Sequence, residues 1–232
     1  MTDITVIATF AQDRYIYLKD GTQIVTEGGP ALWITRTLMH LSMPYAIVAG
    51  TDKAIVDITI GDTGEQGTIV FLSPINTLHI SPASAYIVST IGDEFELGDI
   101  ATLNGLVAID AQGFVRGALL NGHSSYTPPF AIRERIAILK ATEQEVGYLD
   151  AAFVKEQKHR MLLVTKGSLG FELFAFGRYL PYPSNNAITP PNTIGAGDVL
   201  LSAFVVRYLR SRDPLEAGYR ARKDVEEFLS QK

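Results

Sequence analysis

The chain has 232 residues, enough to bury a full core, and its 47% hydrophobic and 19% charged content excludes a disordered polypeptide. A net charge of −5 excludes a general electrostatic pull, so no nucleic acid and no membrane is expected as a partner. The lack of cysteine excludes disulfides and thiolate metal sites, and His40, His79, His123 and His159 have no metal-ligand spacing.

The N-terminal Met-Thr-Asp-Ile lacks the basic region of a signal peptide, and no apolar run approaches the ~18 residues a membrane span needs. The longest run, 199–206, contains Ser202 and is closed by Arg207. A soluble, cytoplasmic protein is expected.

Residues 4–10 are β-branched and apolar, as in a buried central strand. Two strand-like segments, 15–18 and 23–26, flank Lys19-Asp20-Gly21-Thr22, whose Asp-Gly pair reads as a hairpin turn. A second hairpin joins 54–60 to 67–72 through Gly61-Asp62-Thr63-Gly64. Between them, Gly28-Gly29-Pro30 precedes a helical pattern over 31–41, with Pro30 suited to the first helical position.

From about residue 78 strands alternate with helices: strands at 86–89, 107–110, 136–140 and 161–165, helices near 99–104, 143–146 and 150–156. That alternation predicts a mainly parallel sheet covered by helices. Segments 171–175 and 178–181 read as a late antiparallel pair, and Asp213-Pro214-Leu215-Glu216 as the capping box of a final helix. The expected fold class is α/β. A single domain spans 1–232, with a small β lid, about 14–27 and 54–72, over the sheet's carboxyl edge.

The most informative run is Asn192-Thr193-Ile194-Gly195-Ala196-Gly197-Asp198, followed at once by the apolar stretch 199–206. Such a glycine turn opening a helix directs backbone N–H groups and the positive end of the dipole into one space, an anion site. Asp198 beside it either caps the helix or accepts a proton from a hydroxyl during phosphoryl transfer, and the run alone leaves both readings open. A second run, Val164-Thr165-Lys166-Gly167-Ser168-Leu169-Gly170, follows an apolar strand. Its Thr165, Gly167 and Gly170 suit contact with nucleotide phosphates or ribose, although an isolated run of this kind is more often a tight turn.

Together the two runs resemble the PfkB family of ribokinase-like carbohydrate kinases. Gly28-Gly29 opening a helix, Asp13 after the first strand, Asp110-Ala111-Gln112-Gly113-Phe114-Val115-Arg116 and Lys140-Ala141-Thr142-Glu143-Gln144-Glu145 agree with the family in order and spacing. The resemblance runs from about residue 4 to 209. It implies a ribokinase-like three-layer sandwich and an ATP-dependent kinase acting on a hydroxyl of a small sugar, polyol or nucleoside.

By resemblance, Asp198 is the base, and the backbone of Gly195, Ala196 and Gly197 forms the anion hole. Thr165, Gly167, Gly170 and Thr193 line the nucleotide site; Asp13, Gly28 and Gly29 face the acceptor; Glu145 helps hold Mg²⁺ through water; Trp33, on the acceptor side, is either a stacking surface for a ring or a core residue, as a lone tryptophan on a helix more often is. Three positions depart from the family pattern: Asn192 replaces an aspartate, Thr142 the asparagine of N-x-x-E, and Trp33 the asparagine of G-G-x-x-x-N. The chain is also short after the signature helix, and its charge-rich Arg220-Ala221-Arg222-Lys223-Asp224 reads as a solvated face over docked Val225, Phe228 and Leu229. Arg14 and Arg116 lie near strand ends and suit either neutralisation of developing phosphate charge or, more commonly, a surface ion pair. A non-catalytic nucleotide- or sugar-binding regulatory protein on the same fold is the alternative, and a homodimer through the lid a further expectation. A nicotinamide-binding fold fits poorly, because no glycine follows the first strand.

Overall fold

The computed structural model describes residues 2–61, 64–76, 80–101, 104–184 and 193–231. In chain order its elements are β1 (Thr2–Ala8), β2 (Ala11–Tyr17), β3 (Gln23–Gly28), α1 (Pro30–His40), β4 (Tyr45–Val48), β5 (Ala54–Gly61), β6 (Gly64–Phe71), β7 (Ala83–Ser89), β8 (Leu106–Asp110), α2 (Ala111–Leu120), α3 (Phe130–Arg133), β9 (Ile136–Thr142), α4 (Glu143–Val146), α5 (Ala151–His159), β10 (Met161–Thr165), β11 (Gly170–Ala175), β12 (Arg178–Pro183), α6 (Ala196–Ser211) and α7 (Pro214–Ser230).

Among the described residues, eight strands form a sheet in the order β12-β11-β10-β9-β8-β7-β1-β4. It is parallel from β10 to β4, and β11 and β12 add an antiparallel edge. Alternation along the strands divides the core. Ile4, Val6, Ala8, Ala85 and Ile87 face α1, α6 and α7 in one cluster. Ile7, Tyr86, Val88, Val107 and Ile109 face α2, α3 and α5 in the other. This is the helix–sheet–helix sandwich that the alternating pattern predicts.

Every residue of α6 from Val199 to Val206 is buried, because the helix packs on the sheet while α1 and α7 cover its flanks. Burial of a Phe204-sized side chain contributes roughly 1.5–3 kcal/mol. Ser202, the polar residue in that run, returns its hydroxyl to the Asp198 carbonyl at 2.7 Å. Arg207 ties α6 to α7 through both oxygens of Asp224, at 2.9 and 2.7 Å. Asp224 is therefore a tie between helices, where a solvated charge run was expected. No helix among the described residues is long and apolar enough to cross a membrane.

A second sheet, in the order β3-β2-β5-β6, holds the two hairpins. Gly21 (φ +73°) turns the first, as its Asp-Gly pair predicts, while residues 62–63 of the second turn lie outside the described residues. The sheet joins the main body through Ala11, Ala54 and Ile91, with Val56, Ile69 and Leu72 packed against them. Buried Glu94 braces this junction. It accepts from the Ile91 and Gly92 N–H groups at 2.7 Å each and from the Thr9 hydroxyl.

Several details differ from the sequence reading. A helix near 99–104 is replaced by a 3₁₀ turn over Leu97–Ile100, with 102–103 outside the described residues. Helices α2 and α3 and strand β4 were not anticipated. Gly113 and Gly117 weaken the helical pattern of α2, but both are there for close packing: a Cβ on Gly113 would fall on the Thr90 hydroxyl, and one on Gly117 within 3.0 Å of Asp93. Asp213 caps α7 through the Leu215 N–H at 2.8 Å, but Glu216 pairs with Arg220 at 2.8 Å instead of closing the box.

Candidate active site

A cavity of about 590 Å³ lies at the carboxyl ends of the parallel strands, between them, the smaller sheet, the start of α6 and α7. Its centre is the opening of α6. Gly195 takes the left-handed conformation (φ +86°) as the N-cap, and the Ala196 N–H donates to the Thr193 carbonyl at 3.0 Å. Glycine is required here twice over, since a Cβ on Gly195 would lie 2.5 Å from the Trp33 indole. The N–H groups of a first helical turn lack intrahelical acceptors, so this turn faces the cavity with positive character.

Asp198 sits in the first turn of α6 and is not its cap. Its Oδ1 accepts from the Ser89 hydroxyl at 3.0 Å, at the end of β7. Burial, reinforced by the Asp110 carboxylate and opposed by Lys140 and Ser89, pushes its pKa up to about 7. That value suits a group that must accept a proton near neutral pH.

Beneath Asp198 lies an ion pair absent from the sequence reading. Asp110 closes β8 and Lys140 stands opposite it in β9, with Nζ 2.9 Å from Oδ2. Both are almost fully enclosed, at 2% and 3% exposure, and both line the cavity. The other Asp110 oxygen accepts from the Gln112 N–H at 3.0 Å and caps α2. Burial works against the Lys140 ammonium, but Asp110, Glu145 and Asp198 outweigh it and hold its pKa above the usual lysine value. The signal was legible: a lysine interrupts the apolar strand Ile136-Ala137-Ile138-Leu139, and an aspartate ends its neighbour.

On one side of Asp198 the cavity is lined by Asp13, Gly29, Trp33, Gln112 and Arg116, under Val56, Ile58 and Ile69 of the smaller sheet. Burial raises the Asp13 carboxyl above its usual value. Gly28 is absent from this lining but makes room for it, because a Cβ there would fall on the Asp13 carboxylate. Gly29 (φ +82°) caps α1 so closely that a Cβ would approach the Thr9 carbonyl to 2.6 Å. Arg116 donates to the Ile91 carbonyl at 2.9 Å, whereas Arg14 pairs with Asp57 at 2.5 Å as expected.

On the other side lie Thr165, Gly167, Ser168, Gly170 and Thr193, beside an apolar wall of Phe171, Leu200, Val225 and Leu229. Gly167 and Gly170 have φ of +57° and +99°, so the glycine spacing is that of a sharp turn into β11. Phe228 sets its ring against Trp33 at 5.5 Å. Trp33 thus touches the anion turn and α7 together. Asn192 lies outside the described residues.

Glu145 is not in the lining. Its carboxylate accepts from the Thr142 N–H at 2.7 Å while the Thr142 hydroxyl accepts from the Glu145 N–H at 3.1 Å, a closed capping box on α4. Among the described residues no three of His, Asp and Glu gather as metal ligands.

No protein-family model and no curated protein matches the chain. Solved structures do. A pyrophosphate-dependent kinase in the ribokinase family, complexed with a pyrophosphate analogue and myo-inositol, aligns over 97% of this chain and 99% of its own at 17% identity and a TM-score of 0.70. An uncharacterised sugar kinase from Pyrococcus horikoshii in complex with ATP aligns over 99% and 93% at 16% identity, TM-score 0.70. A ribokinase from Thermotoga maritima aligns over 99% and 100% at 17% identity, TM-score 0.62. Identities this low carry the architecture, and the chain has the ribokinase-like fold.

Proposed function

We propose that the protein transfers the terminal phosphoryl group of ATP to a hydroxyl of a small sugar, polyol or nucleoside. The observation that carries this reading is Asp198, whose pKa of about 7 and place at the glycine turn of α6 set a proton acceptor against an anion site, midway along the cavity. The acceptor lies on the Asp13 side, where that carboxylate and the Gly29 backbone hold its other hydroxyls. The smaller sheet is its lid. The reacting oxygen bonds to the terminal phosphorus as the bridging P–O bond breaks. ADP leaves with that electron pair, and the hydroxyl proton passes to Asp198. Charge on the moving group is met by the N–H groups of Gly195 and Gly197, and the Ala196 N–H joins them only by releasing the Thr193 carbonyl.

The apolar wall of Phe171, Leu200, Val225 and Leu229 suits a nucleoside base, which supports ATP over pyrophosphate, the donor of one structural neighbour. Mg²⁺ would ride on the donor phosphates and neutralise their charge, holding mostly water on its protein side. Glu145 can join it only by releasing the Thr142 N–H. A cytoplasmic location, where ATP is held, goes with this reading. So does a homodimer through β3, an exposed edge strand of the lid.

A coupled assay with ATP·Mg²⁺, and in parallel pyrophosphate, against pooled sugars, polyols and nucleosides tests the proposal. Transfer to one acceptor is expected, abolished by Asp198→Asn with the fold retained. Nucleotide binding without transfer to any acceptor would support the regulatory reading instead. Full activity of Asp198→Asn would overturn the assignment of the base.

A further inference from the structure

A buried ion pair does little for folding, since desolvation consumes most of the attraction between its charges. The Lys140–Asp110 pair therefore invites another explanation. An ammonium carries three N–H donors. Among the described residues, Lys140 spends one, on Asp110 Oδ2, and has no other hydrogen-bond acceptor. Its Nζ lies directly against the anion turn: a Cβ on Gly197 would sit 2.8 Å from Nζ and 3.1 Å from Cε. The charge balance around it is also incomplete. Three carboxylates, Asp110, Glu145 and Asp198, act on one ammonium in a site that must then admit a polyanion.

We propose that Lys140 is a catalytic residue whose unused N–H groups bind the transferring phosphoryl group, completing the hole formed by the Gly195 and Gly197 N–H groups at the anion turn. This rests on the kinase reading above. Asp110 serves as the positioning residue. It holds the ammonium beneath Gly197 and keeps it away from Asp198, so that the base stays free to receive the hydroxyl proton. The bonds made and broken are those of the transfer itself, and Lys140 remains protonated throughout. A role of this kind also explains why Gly197 is glycine in the second helical position, where φ alone permits any residue: a side chain would displace the ammonium.

Lys140→Met alone would strand a buried carboxylate, so the test pairs it with Asp110→Asn, which keeps the oxygen that caps α2. Titration calorimetry then compares ADP with the non-hydrolysable triphosphate AMP-PNP, both with Mg²⁺. The double variant should bind AMP-PNP at least about tenfold more weakly and ADP within about twofold of the wild type, and kcat should fall on the order of a hundredfold. Asp110→Asn alone, which keeps the cation, should bind AMP-PNP at least as tightly as the wild type. Equal loss for both nucleotides, no loss for either, or equal weakening in the single and double variants would overturn the role of Lys140. A wild type that binds neither nucleotide would overturn the ATP reading itself, and this proposal with it.

Discussion

Asp198→Asn should make the protein more stable, and increasingly so as pH rises. The folded state shifts this carboxyl from an ordinary value of 3.8 to about 7, first by burial and then by the neighbouring Asp110. A carboxyl raised in this way favours folding only while protonated; the contribution is lost as pH climbs from the unfolded to the folded value. The difference between the two values corresponds to roughly 4 kcal/mol once both states are ionised, and to roughly 2 kcal/mol at about pH 5.5, where only the unfolded chain is. An amide removes that penalty while its oxygen can still accept from the Ser89 hydroxyl. Urea unfolding of wild type and variant at about pH 5.5 and pH 8 reads it directly. The expected gain is larger at the higher pH by roughly 2 kcal/mol. A gain that does not change with pH, or a loss of stability, would refute the reasoning. The result also bears on function, because a site that costs stability and is relieved by one oxygen-to-nitrogen change is one kept for its chemistry.

The rate should rise with pH through about 7 as Asp198 loses its proton, and a flat kcat profile between about pH 6 and 8 would count against Asp198 as the base. Asp13→Asn should raise the acceptor KM at least about tenfold and leave the ATP KM unchanged; a change confined to ATP would exchange the two halves of the cavity. Gly195→Ala meets both a positive φ and the Trp33 ring, so thermal unfolding should drop by at least about 5 °C. Trp33 is the single tryptophan of the chain and touches the anion turn, so its emission should shift on donor binding, and an unchanged spectrum at saturating ATP would place the donor elsewhere.

Much of the site was readable from local pattern because its parts are local. Gly195, Gly197, Gly29 and Gly170 announce backbone that side chains would obstruct, and each does stand where a Cβ would collide. The strands 86–89, 107–110, 136–140 and 161–165 are apolar on both faces because helices cover both, and all lie in the parallel part of the sheet. Helix α2 escaped notice for the opposite reason. Its two glycines are explained only by Thr90 and Asp93, which the fold brings against them. Thr142 looked like a lost metal-site residue, yet in place it is the cap of α4 and turns Glu145 back on its own helix.

The sequence by itself determined the alternating α/β architecture, the anion turn and the carboxylate beside it, since spacing of glycines and apolar residues acts over a few positions of chain. Only the tertiary structure decided what surrounds that carboxylate. Ser89, Asp110 and Lys140 come from three different strands, and their charges and hydrogen bonds reach Asp198 across separations of 109, 88 and 58 residues in the chain. Electrostatic neighbourhood depends on distance in space and on burial, and neither is written in any one segment.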